Sequence, residues 1–161
     1  NETVPESAAG FAGRCEWWHQ CGADHLETTR ERYARLAPGV AARVDAFIDD
    51  MAAAYAWADL VICRAGALTV AELAVTGRPA ILVPLPQAID DHQTRNARFL
   101  SAGGAAVLLP QASLRDGGLT PLITDLIAGP ETLQAMAAAA RELARPEAAA
   151  DIADCCEALI R

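Results

Sequence analysis

The stretch that decides the fold is Ala58-Asp59-Leu60-Val61-Ile62-Cys63-Arg64-Ala65-Gly66-Ala67-Leu68-Thr69-Val70-Ala71-Glu72-Leu73. The short apolar run Asp59–Cys63 reads as a buried strand. A turn of small residues follows. An amphipathic helix then opens with Thr69 and Glu72 and closes at Gly77, with Pro79 just beyond. Such a strand–turn–helix leaves backbone N–H groups without partners at the positive end of the helix, a place suited to a phosphate. On that reading the turn Arg64–Leu68 receives a diphosphate, Arg64 adds positive charge, and the Glu72 carboxylate holds ribose hydroxyls. The spacing also fits a purely structural arrangement. Thr69-Val70-Ala71-Glu72 has the form of a capping box, in which both side chains satisfy the helix's own amides, and Arg64 is then an ordinary strand-end residue.

The same unit repeats on either side. After a helical start at residues 2–9, strands are expected at 15–19, 43–48, 59–63, 80–83 and 105–109. Helices are expected at 24–36, 50–57, 69–76 and 91–102, with two or three more in 114–161 broken near Gly129-Pro130 and Pro146. Alternating strand and helix predict an α/β fold, a Rossmann-like parallel sheet with helices on both faces. Ligands of such sheets bind beyond the carboxyl ends of the strands. The informative loops, after Ile48, Cys63 and Val83, all leave strand C-termini. No linker or internal repeat divides the chain, so residues 1–161 read as one domain.

Bulk properties narrow the partners. A formal net charge of -8 over 161 residues supplies no basic face for nucleic acid and no attraction to an anionic membrane. No apolar stretch approaches the roughly 18 residues of a membrane span, and the polar, acidic start shows no signal peptide. The five cysteines are odd in number and form no CxxC pair, which suits reduced thiols in a cytosolic protein. Cys155 and Cys156, on the last helix, are expected to pack. The three histidines are not spaced for zinc, and no Asp-x-Asp triplet is present, so no metal or other cofactor is expected.

Two further segments could carry chemistry. Ile48-Asp49-Asp50-Met51 sits where a strand becomes a helix. It reads either as a helix capped by Asp49 with Ile48 and Met51 in the core, or as a slot for a base lined by Ile48 and Met51. Asp90-Asp91-His92-Gln93 opens a helix after the rigid Pro84-Leu85-Pro86 loop. Its acidic residues favour a helix N-terminus whatever the function, while His92 and Gln93 suit sugar hydroxyls. No carboxylate is evidently placed to orient His92 as a base. Trp17 and Trp18 read as core.

In order along the chain, these segments resemble one family. The run Phe47-Ile48-Asp49-Asp50-Met51-Ala52-Ala53-Ala54-Tyr55-Ala56-Trp57-Ala58-Asp59, then Cys63-Arg64-Ala65-Gly66-Ala67-Leu68-Thr69-Val70-Ala71-Glu72, then Asp91-His92-Gln93-x-x-Asn96-Ala97, is similar to the C-terminal, donor-binding domain of the MurG family of N-acetylglucosaminyltransferases. Trp18-His19-Gln20-Cys21-Gly22 matches as well, with Cys21 in place of a more usual serine, and Ala65 likewise replaces a serine. The resemblance covers nearly the whole chain and is strongest from Val44 to Ala106.

The resemblance implies one Rossmann-like half of a two-domain GT-B transferase that moves GlcNAc, with inversion, from UDP-GlcNAc to lipid I to form lipid II for peptidoglycan. By matching positions, the Ile48 backbone would read uracil with Met51 beside it. Gly66, Ala67, Leu68 and Thr69, near Arg64, would meet the diphosphate, Glu72 the ribose, and His92 and Gln93 the GlcNAc hydroxyls. Relatives with glutamine at the His92 position make sugar contact the expected role there, and no catalytic residue is expected in this stretch. The acceptor domain, the family's membrane contact, a glycine-rich loop and a central first strand would lie before Asn1, leaving five strands with a gap. The fragment alone is then expected to be poorly stable or to pair with another chain, and to transfer no sugar. The full protein would sit peripherally on the cytoplasmic face of the inner membrane. Two alternatives stay open: the donor subunit of a two-chain GlcNAc transferase, and a non-catalytic UDP-sugar-binding module.

Overall fold

The computed structural model describes residues 1–86 and 91–160. Among the described residues, five parallel strands fall into two sheets. Strand β1 (Glu16–Gln20) pairs with β2 (Ala41–Asp45), with Trp18 opposite Arg43. Strand β3 (Val61–Cys63) pairs with β4 (Ala80–Leu82), and β4 with β5 (Ala106–Leu108), with Ile62, Ile81 and Val107 in register. Parallel neighbours need a crossover, and the helices between them are α2 (Leu26–Leu36), α4 (Ala67–Thr76) and α5 (His92–Ala102). The remaining helices are α1 (Thr3–Ala8), α3 (Met51–Trp57), α6 (Gln111–Arg115), α7 (Leu119–Ile127), α8 (Pro130–Leu143) and α9 (Ala148–Ile160). No helix among the described residues is long and apolar enough to cross a membrane.

The chain divides into two compact units: Asn1–Ala58 with Leu109–Thr132, and Asp59–Leu108 with Leu133–Arg161. The first has a core of Ala8, Cys21, Tyr33, Ala37 and Val44, against which Trp17, Leu26, Val40 and Ala42 pack. Trp18 lies on a more open face, with the Arg43 guanidinium 4.0 Å above its ring and the Trp57 ring edge-on at 5.8 Å. Its indole N–H donates to Asp45 Oδ2 at 2.8 Å. The expectation of two core tryptophans thus holds better for Trp17 than for Trp18. In the second unit every residue of β4 is buried, as are Leu73 of α4 and Leu100 of α5. Burying each of the leucine and isoleucine side chains among them is worth about 1.5–3 kcal/mol.

Three local expectations are corrected. Strand β2 ends at Asp45, three residues before the expected end at Ile48. Asp50, not Asp49, caps α3, its carboxylate accepting the Ala53 N–H at 2.8 Å. Helix α2 starts at Leu26, two residues after its expected start, because the 3-10 turn Ala23–His25 precedes it and leaves Asp24 in that turn. The end of α4 is as expected. Gly77 adopts the left-handed conformation (φ 62°) and the Arg78 N–H returns to the Leu73 carbonyl at 2.9 Å. Cys155 and Cys156 do not pack, because no residue of α9 is buried.

Candidate donor-binding site

In the second unit the site grows from the end of β3. Its chain leaves the ladder after Cys63, turns through Arg64, Ala65 and Gly66, and enters α4 at Ala67. Gly66 is the N-cap (φ −64°, ψ 149°) and, having no side chain, supplies no cap hydrogen bond. The Gly66 carbonyl accepts the Val70 N–H at 3.0 Å, the first bond of the helix. The amides of Ala67, Leu68 and Thr69 therefore precede any intrahelical partner. Thr69 Oγ1 lies beside this opening, 3.5 Å from where a Cβ on Gly66 would sit. The capping-box alternative is overturned. Its threonine would have to stand outside the helix, whereas Thr69 is the third helical residue and Glu72 the sixth.

Glu72 is exposed on α4. Its charge adds to the burial that pushes the Cys63 thiol up to about 12, so Cys63 is an inert neutral thiol at the strand end. Leu68 is 80% exposed at the first turn of α4.

Three side chains tie the β3–α4 turn, the loop after β4 and α5 together. Arg64 Nη1 donates to the carbonyls of Val83 at 3.1 Å and Pro84 at 3.2 Å. The Leu85 N–H donates to Gln93 Oε1 at 3.0 Å. Asn96 Nδ2 donates to the Ala65 carbonyl at 3.0 Å. Arg64 thus anchors backbone with one of its nitrogens, a role its expected place beside a phosphate did not include. Gln93, expected to face sugar hydroxyls, commits its oxygen to Leu85, which sets its NH2 on the other side of the carboxamide. Asn96 was quoted in the motif without a role. Its spacing of three from Gln93 puts both on one face of α5, and that was the available signal. His92 opens α5 and is exposed. Asp91 before it has φ 52°, a left-handed conformation aspartate tolerates better than most residues. Asp90 lies outside the described residues.

The other predicted residues, Ile48 and Met51, belong to the first unit. The loop after β2 follows the end of β1: Cys21 N–H meets the Asp45 carbonyl and Gly22 N–H the Ala46 carbonyl, both at 3.0 Å. The next amide, Ile48 N–H, donates instead to Gln20 Oε1 at 2.9 Å. Ile48 is buried, Met51 is 36% exposed, and Phe47 beside them is 67% exposed. Behind β1, His19 Nδ1 pairs with the Tyr33 hydroxyl and Nε2 with Asn1 Oδ1, both at 3.1 Å. Burial holds this imidazole down at about 4, neutral at pH 7. A cavity of about 520 Å³ lies between α2 and β2, lined by residues such as Tyr33, Val40 and Arg43, none of them a predicted site residue. Among the described residues no three His, Cys, Asp or Glu side chains gather to hold a metal ion.

Parallel strands joined by helices, with βα turns that end in helix starts, define a Rossmann-like α/β protein. Residues 1–154 match the glycosyltransferase family 28 C-terminal domain, and the chain belongs to that family. It is 58% identical over 158 residues to the UDP-N-acetylglucosamine–N-acetylmuramyl-(pentapeptide) pyrophosphoryl-undecaprenol N-acetylglucosamine transferase of Stutzerimonas stutzeri. That match takes in 97% of this chain and 44% of the relative. The protein of the same name from Pseudomonas aeruginosa is 59% identical over 138 residues, 86% of this chain and 38% of the relative. The chain therefore spans less than half the length of these curated relatives. Among solved structures, Acinetobacter baumannii MurG superposes with a TM-score of 0.87 at 42% identity, covering 94% of this chain and 43% of that one. The spinosyn forosaminyltransferase SpnP, at 19% identity and a TM-score of 0.68, shares the fold.

Proposed function

We propose that residues 1–161 form the donor-binding domain of an inverting transferase that moves GlcNAc from UDP-GlcNAc to lipid I, giving lipid II for peptidoglycan. The observation that carries this reading is the start of α4. A glycine stands where a capping side chain would, three amides open beyond it, and Glu72 follows on the same helix. An anion satisfies those amides and the positive helix end together. When the glycosidic bond breaks, negative charge grows on the leaving diphosphate, and fixed amide dipoles stabilise it without reorganising. On this reading Gly66, Ala67, Leu68 and Thr69 meet the diphosphate and Glu72 meets the ribose hydroxyls. Arg64 holds the loop after β4 in place and adds positive charge. Gln93, through its NH2, and His92 meet the GlcNAc hydroxyls. In the first unit, Ile48 and Met51 form the base slot.

Lipid I, and the contact with the cytoplasmic face of the inner membrane, fall to the part of the relatives that this chain does not span. These 161 residues accordingly bind donor without transferring sugar. The leaving group needs no metal in this scheme, since α4 meets its charge. The test is calorimetric titration of UDP-GlcNAc, with UDP and UDP-GalNAc as controls, into this chain and a Glu72→Ala variant. Selective binding of UDP-GlcNAc, weakened about tenfold by Glu72→Ala through loss of a charge-assisted hydrogen bond, is expected. A folded chain that ignores all three nucleotides would overturn the reading.

A further inference from the structure

Strand β2 has one partner and one open edge. Among the described residues it pairs with β1 and with no other strand. The Cys21 N–H meets the Asp45 carbonyl at 3.0 Å, and this sets the alternation along the strand. Ala41, Arg43 and Asp45 turn their backbone groups to β1, while Ala42 and Val44 turn theirs outward. In keeping with that, the Val44 carbonyl accepts Arg30 Nη2 from outside the sheet at 3.2 Å, and a carbonyl has a second lone pair to offer. The cavity of about 520 Å³ opens beside this edge, with Ala42 and Val44 on one wall and Ala34, Ala37 and Pro38 on the other. An uncovered edge is a template for another strand.

The side chains decide which strand fits. Arg43 and Asp45 flank Val44 and share one face of β2. Each is only half committed. Asp45 Oδ2 accepts both Trp18 Nε1 at 2.8 Å and Arg43 Nε at 2.7 Å, while its Oδ1 accepts from no donor among the described residues. Arg43 donates through Nε alone, so both its terminal nitrogens are open among those residues, on a side chain 64% exposed. We propose that β2 is the surface through which two copies of this chain pair, antiparallel about Val44. In that register the two Val44 residues exchange N–H and carbonyl, and each Arg43 stands opposite the partner's Asp45. A slip of one residue would set the two Arg43 side chains opposite each other, which like charges resist. Any extended segment meets the same backbone groups, but both open charges are met only by a strand that carries Arg and Asp two residues apart in this order. The chain's own β2 carries them, so the surface is self-complementary and closes at two copies.

The experiment is sedimentation equilibrium of the 161-residue chain from micromolar concentrations to about 1 mM, with circular dichroism to confirm folding. The expected result is a mass that doubles as concentration rises. Ala42→Pro places a proline on the open edge without removing a bond to β1. Arg43→Glu and Asp45→Arg each set like charges opposite one another at both ends of the interface. Each of the three variants is expected to weaken self-association about tenfold or more. Mixed together, the Arg43→Glu and Asp45→Arg chains meet opposite charge at every position, and association is expected to return. A folded, unaltered chain of single mass throughout leaves the edge to another protein's segment or to solvent and overturns the proposal. Self-association of undiminished strength in both Ala42→Pro and Arg43→Glu overturns it as well, because it runs through another surface. A mixture that stays at single mass overturns the register and the pairing with it.

Discussion

Two strand-to-helix turns of this chain are built alike and finished differently. After β2 the chain enters α3 with Asp50 at the N-cap, and its carboxylate closes on the Ala53 N–H at 2.8 Å. After β3 the chain enters α4 with Gly66 at the N-cap, a residue with no side chain to close it. The first turn spends its helix start on its own stability, worth about 1 kcal/mol. The second leaves the same resource to a ligand. A glycine cap costs only a few tenths of a kcal/mol against aspartate or serine, so a fold can keep an anion site at small expense in stability. On the proposed function, this difference in capping separates the loop offered to phosphate from the loop offered to a neutral group.

The contrast is broken most completely by Gly66→Asp. The site has room for a side chain, with only Thr69 Oγ1 near a Cβ, and its φ of −64° suits any residue. We expect α4 to cap itself and the melting temperature to hold or rise. UDP-GlcNAc affinity, read by calorimetry, should fall about a hundredfold as the carboxylate fills and repels the diphosphate position. A variant that keeps its donor affinity would remove the phosphate from this turn.

Arg64→Ala comes next. It releases the Val83 and Pro84 carbonyls, and we expect a stability loss of about 1–2 kcal/mol with faster amide exchange at Leu85, the next residue of that loop. Unchanged exchange there would return Arg64 to the role of a surface cation. Asp50→Ala should cost about 1 kcal/mol in denaturant unfolding while sparing the affinity for inorganic pyrophosphate, which probes α4 alone. Loss of pyrophosphate binding in that variant would erase the distinction between the two turns.

Acid probes the first unit through His19. The folded state holds His19 at about 4 against an ordinary 6.5, because burial disfavours its charged form. A lowered histidine stabilises the fold in its neutral form, so that contribution is complete above about pH 6.5 and is lost as the pH falls toward 4. The denaturant midpoint, followed by circular dichroism, should fall across that window, and His19→Asn should flatten the slope. An equal slope in the variant would assign the acid sensitivity elsewhere.

The α/β alternation and the start and stop of α4 were legible because they rest on local chemistry: apolar runs, glycine at helix ends and proline beyond them. The end of β2 was not. Ala46–Ile48 is apolar enough to continue a strand, and what stops it is a side chain from residue 20 capturing the amide of residue 48. The same limit hid the roles of Arg64 and Asn96, whose partners lie 19 to 31 residues away. Spacing can nominate such residues, but only the folded chain shows which backbone atom they meet. The exposed Cys155 and Cys156 err in the other direction, since α9 has an apolar composition and no residue buried.

The aromatic residues are unevenly placed, and this has an optical consequence. All three tryptophans, Trp17, Trp18 and Trp57, and both tyrosines, Tyr33 and Tyr55, fall within Asn1–Ala58, in the first unit. Tryptophan and tyrosine fluorescence therefore watches that unit alone, with Trp18 reporting from beneath the Arg43 cation. The unit that carries α4 is dark to that fluorescence, and a fluorescence trace that overlays the far-ultraviolet signal through unfolding would show that the dark half melts with the bright one.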